Sequence, residues 1–227
     1  TEKVFVSWHT AGGGGTQAEV FLAEKSGNSW SSPLGVNLGT GGSHSIALDN
    51  SGMLHLLYHE LESPFLTYYR LFDGDSWTAP IEISEELGKS SSAPSIAVDS
   101  SNTPHVVWSN TPTGNNAVVY YSKLEVTGWT EPQALTQNNT HSIYPRIAVD
   151  KNGVVHVVWR NSTNRRIYYR KLENGSWSGT FLVSMDAGEP DLVVDEKGTT
   201  HVVWASLTVE ADIFYSQNSG AGWTIPE

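Results

Sequence analysis

Four stretches of this chain repeat one pattern, SIALDNSGMLHLLY, SIAVDSSNTPHVVW, RIAVDKNGVVHVVW and DLVVDEKGTTHVVW. In each, an Asp precedes a His by six positions: Asp49 and His55, Asp99 and His105, Asp150 and His156, Asp195 and His201. An apolar run, a short polar turn and a second apolar run make a two-stranded hairpin, strands A and B. An aromatic run follows (TYYRL, VYYSKL, IYYRKL or IFYSQ) and reads as strand C. Eight residues after its second aromatic stands a Trp that opens a strand D: Tyr69 with Trp77, Tyr121 with Trp129, Tyr169 with Trp177 and Tyr215 with Trp223. Leu22 and Trp30 keep the same count in the first unit.

A four-stranded unit of this size cannot bury its own faces, so neighbouring units must stack, as propeller blades do. The repeat predicts an all-β chain: a five-bladed β-propeller of four-stranded antiparallel blades. It forms a single domain over 1–227, with units at about 1–40, 41–90, 91–140, 141–186 and 187–227. The opening KVFVSWHT aligns with HVVW and not with SIAVD, so the first blade is expected to lack its innermost strand. An unpaired edge inside a radial array invites strand addition, and three expectations stand side by side: the chain is cut from a longer propeller, the first blade keeps three strands, or a copy of itself donates the strand to make a homo-oligomer or polymer.

Composition narrows the partners. A formal charge of -11 and a pI near 5.1 repel nucleic acid over most of the surface. No stretch reaches the roughly 20 apolar residues that cross a bilayer, and TEKVFVSW lacks a leader, so the chain reads as mature, secreted and not inserted in a membrane. With no Cys there is no disulfide, thiolate metal site or thiol nucleophile. All nine Trp fall at repeat positions, which points to packing between blades and not to exposed platforms. The Asp and His pairs bracket tight hairpins and read as structural, tying down turn amides.

The succession of an IAVD strand, a turn, an HVVW strand, a YYR strand and a terminal Trp resembles the bacterial-neuraminidase-repeat and Asp-box propellers, the sialidase-like group. DGDSW at 73–77 approaches the Asp box of that group; SGNSW, VTGW, NGSW and GAGW are eroded forms. The resemblance implies an extracellular or cell-surface, glycan-facing propeller. Sialidases of the group gather three Arg from different blades. Here Arg146, Arg160, Arg165, Arg166 and Arg170 share one unit and only Arg70 lies elsewhere, so a triad gathered from three blades cannot be built and the residues disfavour sialidase chemistry.

In a propeller the D–A and B–C connections share one face, while the A–B and C–D turns share the other. The second face repeats; the first varies, and variable loops on a rigid scaffold are where binding groups gather. That face carries the candidate ligand-binding set His44, His59, Glu60, Tyr144, Arg146, Arg160, Glu189 and Asp191. His44, His59, Tyr144, Arg146 and Arg160 form the candidate catalytic set: His or Tyr moves a proton and Arg neutralises a uronate carboxylate. Larger propellers with similar repeats include lyases built this way, which the resemblance extends to a polysaccharide lyase alternative; Glu60 with Glu189 or Asp191 suggests a glycoside hydrolase.

The leading reading is a non-catalytic glycan-binding propeller, lectin- or adhesin-like, or a structural subunit of an extracellular assembly. Sequons at Asn138, Asn161 and Asn174 permit glycosylation. GGGG at 12–15 lacks a following Lys and Ser or Thr, so it is no P-loop. No cofactor or dedicated metal site is indicated; the acidic pairs Glu60 with Glu62 and Glu85 with Glu86 suit weak calcium binding at most.

Overall fold

The computed structural model describes residues 4–10, 19–36, 41–60, 65–84, 91–112, 116–207 and 212–227. Glu62, Glu85, Glu86 and the glycines at 12–15 lie outside them. The described residues contain no helix and form five antiparallel sheets in a ring, a five-bladed β-propeller. Blade 1 holds β1 (Val4–His9), β2 (Val20–Ser26), β3 (Ser29–Trp30) and β4 (Leu34–Gly35). Blade 2 holds β5 (Gly41–Leu48), β6 (Leu54–Glu60), β7 (Thr67–Phe72) and β8 (Ile81–Glu82). Blade 3 holds β9 (Ser91–Val98), β10 (Pro104–Asn110), β11 (Val118–Glu125), β12 (Gly128–Trp129) and β13 (Gln133–Ala134). Blade 4 holds β14 (Ser142–Val149), β15 (Val155–Asn161), β16 (Arg166–Glu173), β17 (Ser176–Trp177) and β18 (Phe181–Ser184). Blade 5 holds β19 (Ala187–Val194), β20 (Thr200–Ser206) and β21 (Ile213–Asn218).

Blade 1 begins at its B strand, with β1 paired to β2 alone among the described residues, as the sequence predicts. The D strands differ from the expectation of a fourth full strand: they are broken into two-residue pieces or a single bridge, except for the four-residue β18 of blade 4. Proline explains four of them, since Pro33, Pro80, Pro132 and Pro226 each stand three residues after the Trp and have no N–H for the ladder. A hydroxyl takes over at the break in every blade. Ser31, Thr78, Thr130, Ser178 and Thr224 each accept the C-strand N–H, from Glu24, Leu71, Lys123, Lys171 and Gln217 at 3.0–3.1 Å.

Apolar seams between blades make the core. At each of three seams a C-strand Tyr meets the edge of the next blade's Trp, with ring centroids 5.1–5.2 Å apart: Tyr69 with Trp129, Tyr121 with Trp177, Tyr169 with Trp223. Centre-strand residues facing those seams are sealed; Leu57, Val107 and Val158 are each 0% exposed. On the last blade the equivalent Val203 is 42% exposed, and on the first Val6 is 45% exposed where Val106 and Val157 are at 0%. The Trp residues of the B strands in blades 3, 4 and 5 are buried, which bears out the packing reading for them, whereas Trp8 and Trp30 are exposed.

The Asp and His pairs form one repeated device. Asp49 Oδ1 accepts the N–H groups of Ser51 at 2.9 Å and Met53 at 2.8 Å, closing the hairpin, and Oδ2 lies 3.4 Å from His55 Nε2. A carboxylate only accepts, so Nε2 carries the proton and Nδ1 accepts from the Tyr69 hydroxyl at 2.8 Å. Asp99, His105 and Tyr121 repeat the chain, as do Asp150, His156 and Tyr169 with a wider 4.0 Å Asp–His gap, and Asp195, His201 and Tyr215. Burial holds His55 and His105 below the ordinary imidazole pKa and lowers His156 to about 4, so all three are neutral at pH 7. In blade 1 Phe5 stands where the other blades have His and Leu22 where they have Tyr, so both polar partners are lost together.

Candidate functional site

Every innermost strand enters the ring through a β-bulge. Two residues of the A strand oppose one of the B strand between Gly41 and His44, Ser92 and Ser95, Ile143 and Arg146, and Ala187 and Pro190. The tripeptides there are Ser43-His44-Ser45, Ala93-Pro94-Ser95, Tyr144-Pro145-Arg146 and Glu189-Pro190-Asp191. Proline is tolerated because the bulge leaves one N–H out of the ladder. Ala93 and Tyr144 sit in the left-handed region, φ 48° and 52°, a conformation non-glycine residues adopt at a cost of about 1 kcal/mol or more. Such bulges turn side chains that would lie in the sheet toward the axis.

Together the four bulges line one axial cavity of about 520 Å³. It brings together His44, Tyr144, Arg146, Glu189 and Asp191 of the predicted set, with Ser43, Ser45 and Ser95. His59 reaches the rim, its Nδ1 3.3 Å from the Ser43 carbonyl. Glu60 and Arg160 do not line the cavity; they lie on the B strands, opposite Gly41 and Ile143 in the ladders.

The rim is knitted between blades. Ser45 Oγ accepts the Ile96 N–H at 3.2 Å and Ser95 Oγ accepts the Ile147 N–H at 3.3 Å. Arg146 Nε lies 4.0 Å from Asp191 Oδ1, and its Nη1 donates to the Pro145 carbonyl. His44 Nε2 lies 3.0 Å from Ser7 Oγ, and its ring meets His9 edge-on at 5.7 Å. Burial, reinforced by His9, lowers the His44 pKa against the raising effect of the Gly42 and Ser7 backbone. Burial likewise lowers His59. Both imidazoles are therefore neutral at pH 7.

Buried polar atoms without a well-formed hydrogen bond collect on this same face: His44 Nδ1, Ser109 Oγ, both amide atoms of Asn110 and Arg160 Nε. An unmatched buried polar atom costs about 1–3 kcal/mol, so the face retains polar groups that folding alone would replace. The opposite face, with its Asp-capped turns, leaves mainly Trp indoles and His156 Nε2 in that state.

Several residues find other roles. Arg70 Nε donates to the Thr78 carbonyl and Nη1 to Val36 of blade 1; Arg170 does the same to Ser178 and to Leu135 of blade 3. Both lie over a Trp ring at 5.6 Å and are structural staples. Asn161 is buried, with Oδ1 accepting from Thr163 and Asn164, whereas Asn138 and Asn174 are exposed. Among the described residues no group of three or more His, Asp or Glu is placed to hold a metal. Sequence reasoning missed the bulges as the devices that aim the site, although an X-Pro inside three of four A strands was the available signal.

No protein-family model and no curated protein matches this chain. Solved structures do, and they are propellers. A protein of unknown function from Dyadobacter fermentans superposes with a TM-score of 0.75 at 9% identity, over 98% of this chain and 79% of that one. A polysaccharide lyase described as a PL25 ulvan lyase gives 0.71 at 11%, over 99% and 66%. The six-bladed fucose-recognising lectin of Aleuria aurantia gives 0.60 at 14%, over 99% and 78%. At these identities the likeness establishes the fold, and the chain spans about two thirds to four fifths of those proteins.

Proposed function

We propose that this propeller binds a saccharide in the axial cavity, as a glycan-binding domain of the kind seen in extracellular lectins. The observation that carries the reading is the cavity's inventory: one guanidinium, two carboxylates, neutral imidazole, a phenol and serine hydroxyls, all brought in by bulges on four blades. Interspersed donors and acceptors suit vicinal hydroxyls, which both give and take hydrogen bonds. The propeller neighbours acting on or binding carbohydrate support the same class. The test is a glycan array followed by titration of the strongest ligand: Arg146→Ala and His44→Ala each weaken binding at least tenfold with the fold retained, and undiminished binding in both removes the reading.

A second reading, a polysaccharide lyase, is favoured by the neutral His44 beside Tyr144 and Arg146. In it His44 takes the proton α to a uronate carboxylate, Arg146 stabilises the resulting charge, and Tyr144 protonates the departing glycosidic oxygen as the C–O bond breaks. Asp191 beside Arg146 already offsets the guanidinium charge, and this places binding first. Appearance of the ultraviolet absorbance of an unsaturated uronate, abolished by His44→Ala, would establish the lyase.

A further inference from the structure

A second cavity, of about 410 Å³, opens on the same face between blades 3 and 4. Its aromatic wall is Tyr168 of β16, half-buried and stacked on the buried Trp159 with ring centroids 6.1 Å apart. Around that ring stand three exposed amides. Asn164 Nδ2 donates to the Tyr168 hydroxyl at 3.0 Å, and Asn139 Nδ2 to Gln137 Oε1 at 3.3 Å. These bonds leave amide donors and acceptors of Gln137, Asn139 and Asn164 directed by their neighbours yet open to solvent. No carboxylate lines this cavity, on a chain with 24 Asp and Glu, and the guanidinium of Arg170 is engaged by the Ser178 and Leu135 carbonyls. An aromatic ring ringed by uncharged amides matches the apolar face and hydroxyl rim of a neutral sugar.

Strand β14 ties the two cavities together. Ser142 lines the inter-blade cavity, while Tyr144 and Arg146 line the axial one. Arg146 stands four positions after Ser142, a span of at most about 14 Å of extended chain. We propose that the inter-blade cavity is a distal subsite for an uncharged sugar unit, so that one oligosaccharide runs from the axis outward along β14. This inference rests on the saccharide-binding reading of the axial cavity and specifies how far along the ligand recognition extends. Two linked contacts raise affinity through effective concentration, so longer ligands bind tighter.

The experiment is calorimetric titration with a ladder of neutral β-linked gluco-oligosaccharides of one to six units, and the same ladder ending in a single uronate. The wild-type protein is expected to gain at least tenfold in affinity from the shortest to the longest member. Tyr168→Ala and Asn164→Ala remove that gain and leave the affinity for the shortest ligand within twofold. Asn164 is exposed, so its variant keeps the fold even where loss of Tyr168 unfolds the blade. Arg146→Ala weakens every length alike. Length-independent binding, or an unchanged gain in both distal variants, overturns the distal subsite while leaving the axial reading intact. A wild-type protein that binds no member of either ladder overturns both.

Discussion

The two faces of this propeller are made from the same five repeats and do opposite things with polar residues. On the A–B turn face each carboxylate is consumed within its own hairpin: Asp99 closes its turn through Ser101 and Thr103 and holds His105, which meets Tyr121. On the entry face one repeat position holds Ser43, Ala93, Tyr144 and Glu189 in turn, and polar atoms of His44, Ser109, Asn110 and Arg160 stay buried and unmatched. The difference teaches where each kind of residue is under which constraint. Repetition marks groups that fold the chain; irregularity marks groups the fold only carries.

The sharpest way to break that contrast is a paired substitution. Asp99→Ala removes the one oxygen that accepts the Ser101 and Thr103 N–H groups and leaves His105 Nε2 unpaired, at about 2–3 kcal/mol, a fall in Tm of several degrees for a chain of this size, with saccharide affinity unchanged. Arg146→Ala does the reverse, losing affinity with Tm within about 2 °C. Thermal melts and titrations of both variants check the pair; coupled losses in either would erase the division of labour.

Acid sharpens it next. His55, His105 and His156 have folded pKa values below the unfolded value of 6.5, and His156 falls to about 4, so the unfolded chain binds more protons between those limits. Stability therefore falls as pH drops through 6.5 towards 4. Asp49 and Asp99 add to the loss at lower pH: burial raises them, but hydrogen bonds from the turn and from His outweigh it and set their folded pKa below the usual carboxylate value. Tm measured from pH 7 to pH 4 tests the slope, which His156→Gln flattens. The neutral His44 and His59 of the entry face contribute in the same direction, and His44→Gln separates the two faces.

A smaller effect comes from strain. Tyr144→Gly relaxes a left-handed residue and raises stability by up to about 1 kcal/mol while weakening ligand binding, because the phenol leaves the cavity. Asn102→Gly, at φ 64° in the turn closed by Asp99, changes stability by only a few tenths of a kcal/mol, since Asn already tolerates that conformation. Equal effects at the two positions, read from denaturant midpoints, would show that strain is not reserved for the entry face.

Much of the fold was legible because local chemistry wrote it. Invariant Asp-to-His spacing gave the hairpins, and Tyr-to-Trp spacing gave strand C and the start of D. The side-chain partner on the neighbouring strand was less visible: the hydroxyl that meets His105 belongs to Tyr121, sixteen residues on in the same blade. Phe5 and Leu22, which replace His and Tyr together, were the covariation that betrays the contact. In the D strands, proline was present in the sequence but its consequence for pairing was not read. At the site, His44, Tyr144, Arg146, Glu189 and Asp191 were identified as neighbours from their place in the repeat. Arg160 and Glu60 were not excluded, because a B-strand position and a bulge position look alike until the register is known. The inter-blade cavity was invisible, since Asn164 and Gln137 belong to loops that no repeat constrains.

The Tyr-on-Trp contact at the seams has one more consequence. Blades 2, 3 and 4 present the same Tyr forward and blades 3, 4 and 5 the same Trp backward, so these three seams do not record which two blades meet there. Blades are thereby interchangeable parts. A duplicated copy of the 91–140 unit set after the original meets both neighbours through halves they already possess, and the number of blades becomes something gene duplication can change in whole steps. Each new blade arrives with its own entry loop, so every enlargement of the ring also adds a fresh, unconstrained stretch of chain beside the axis.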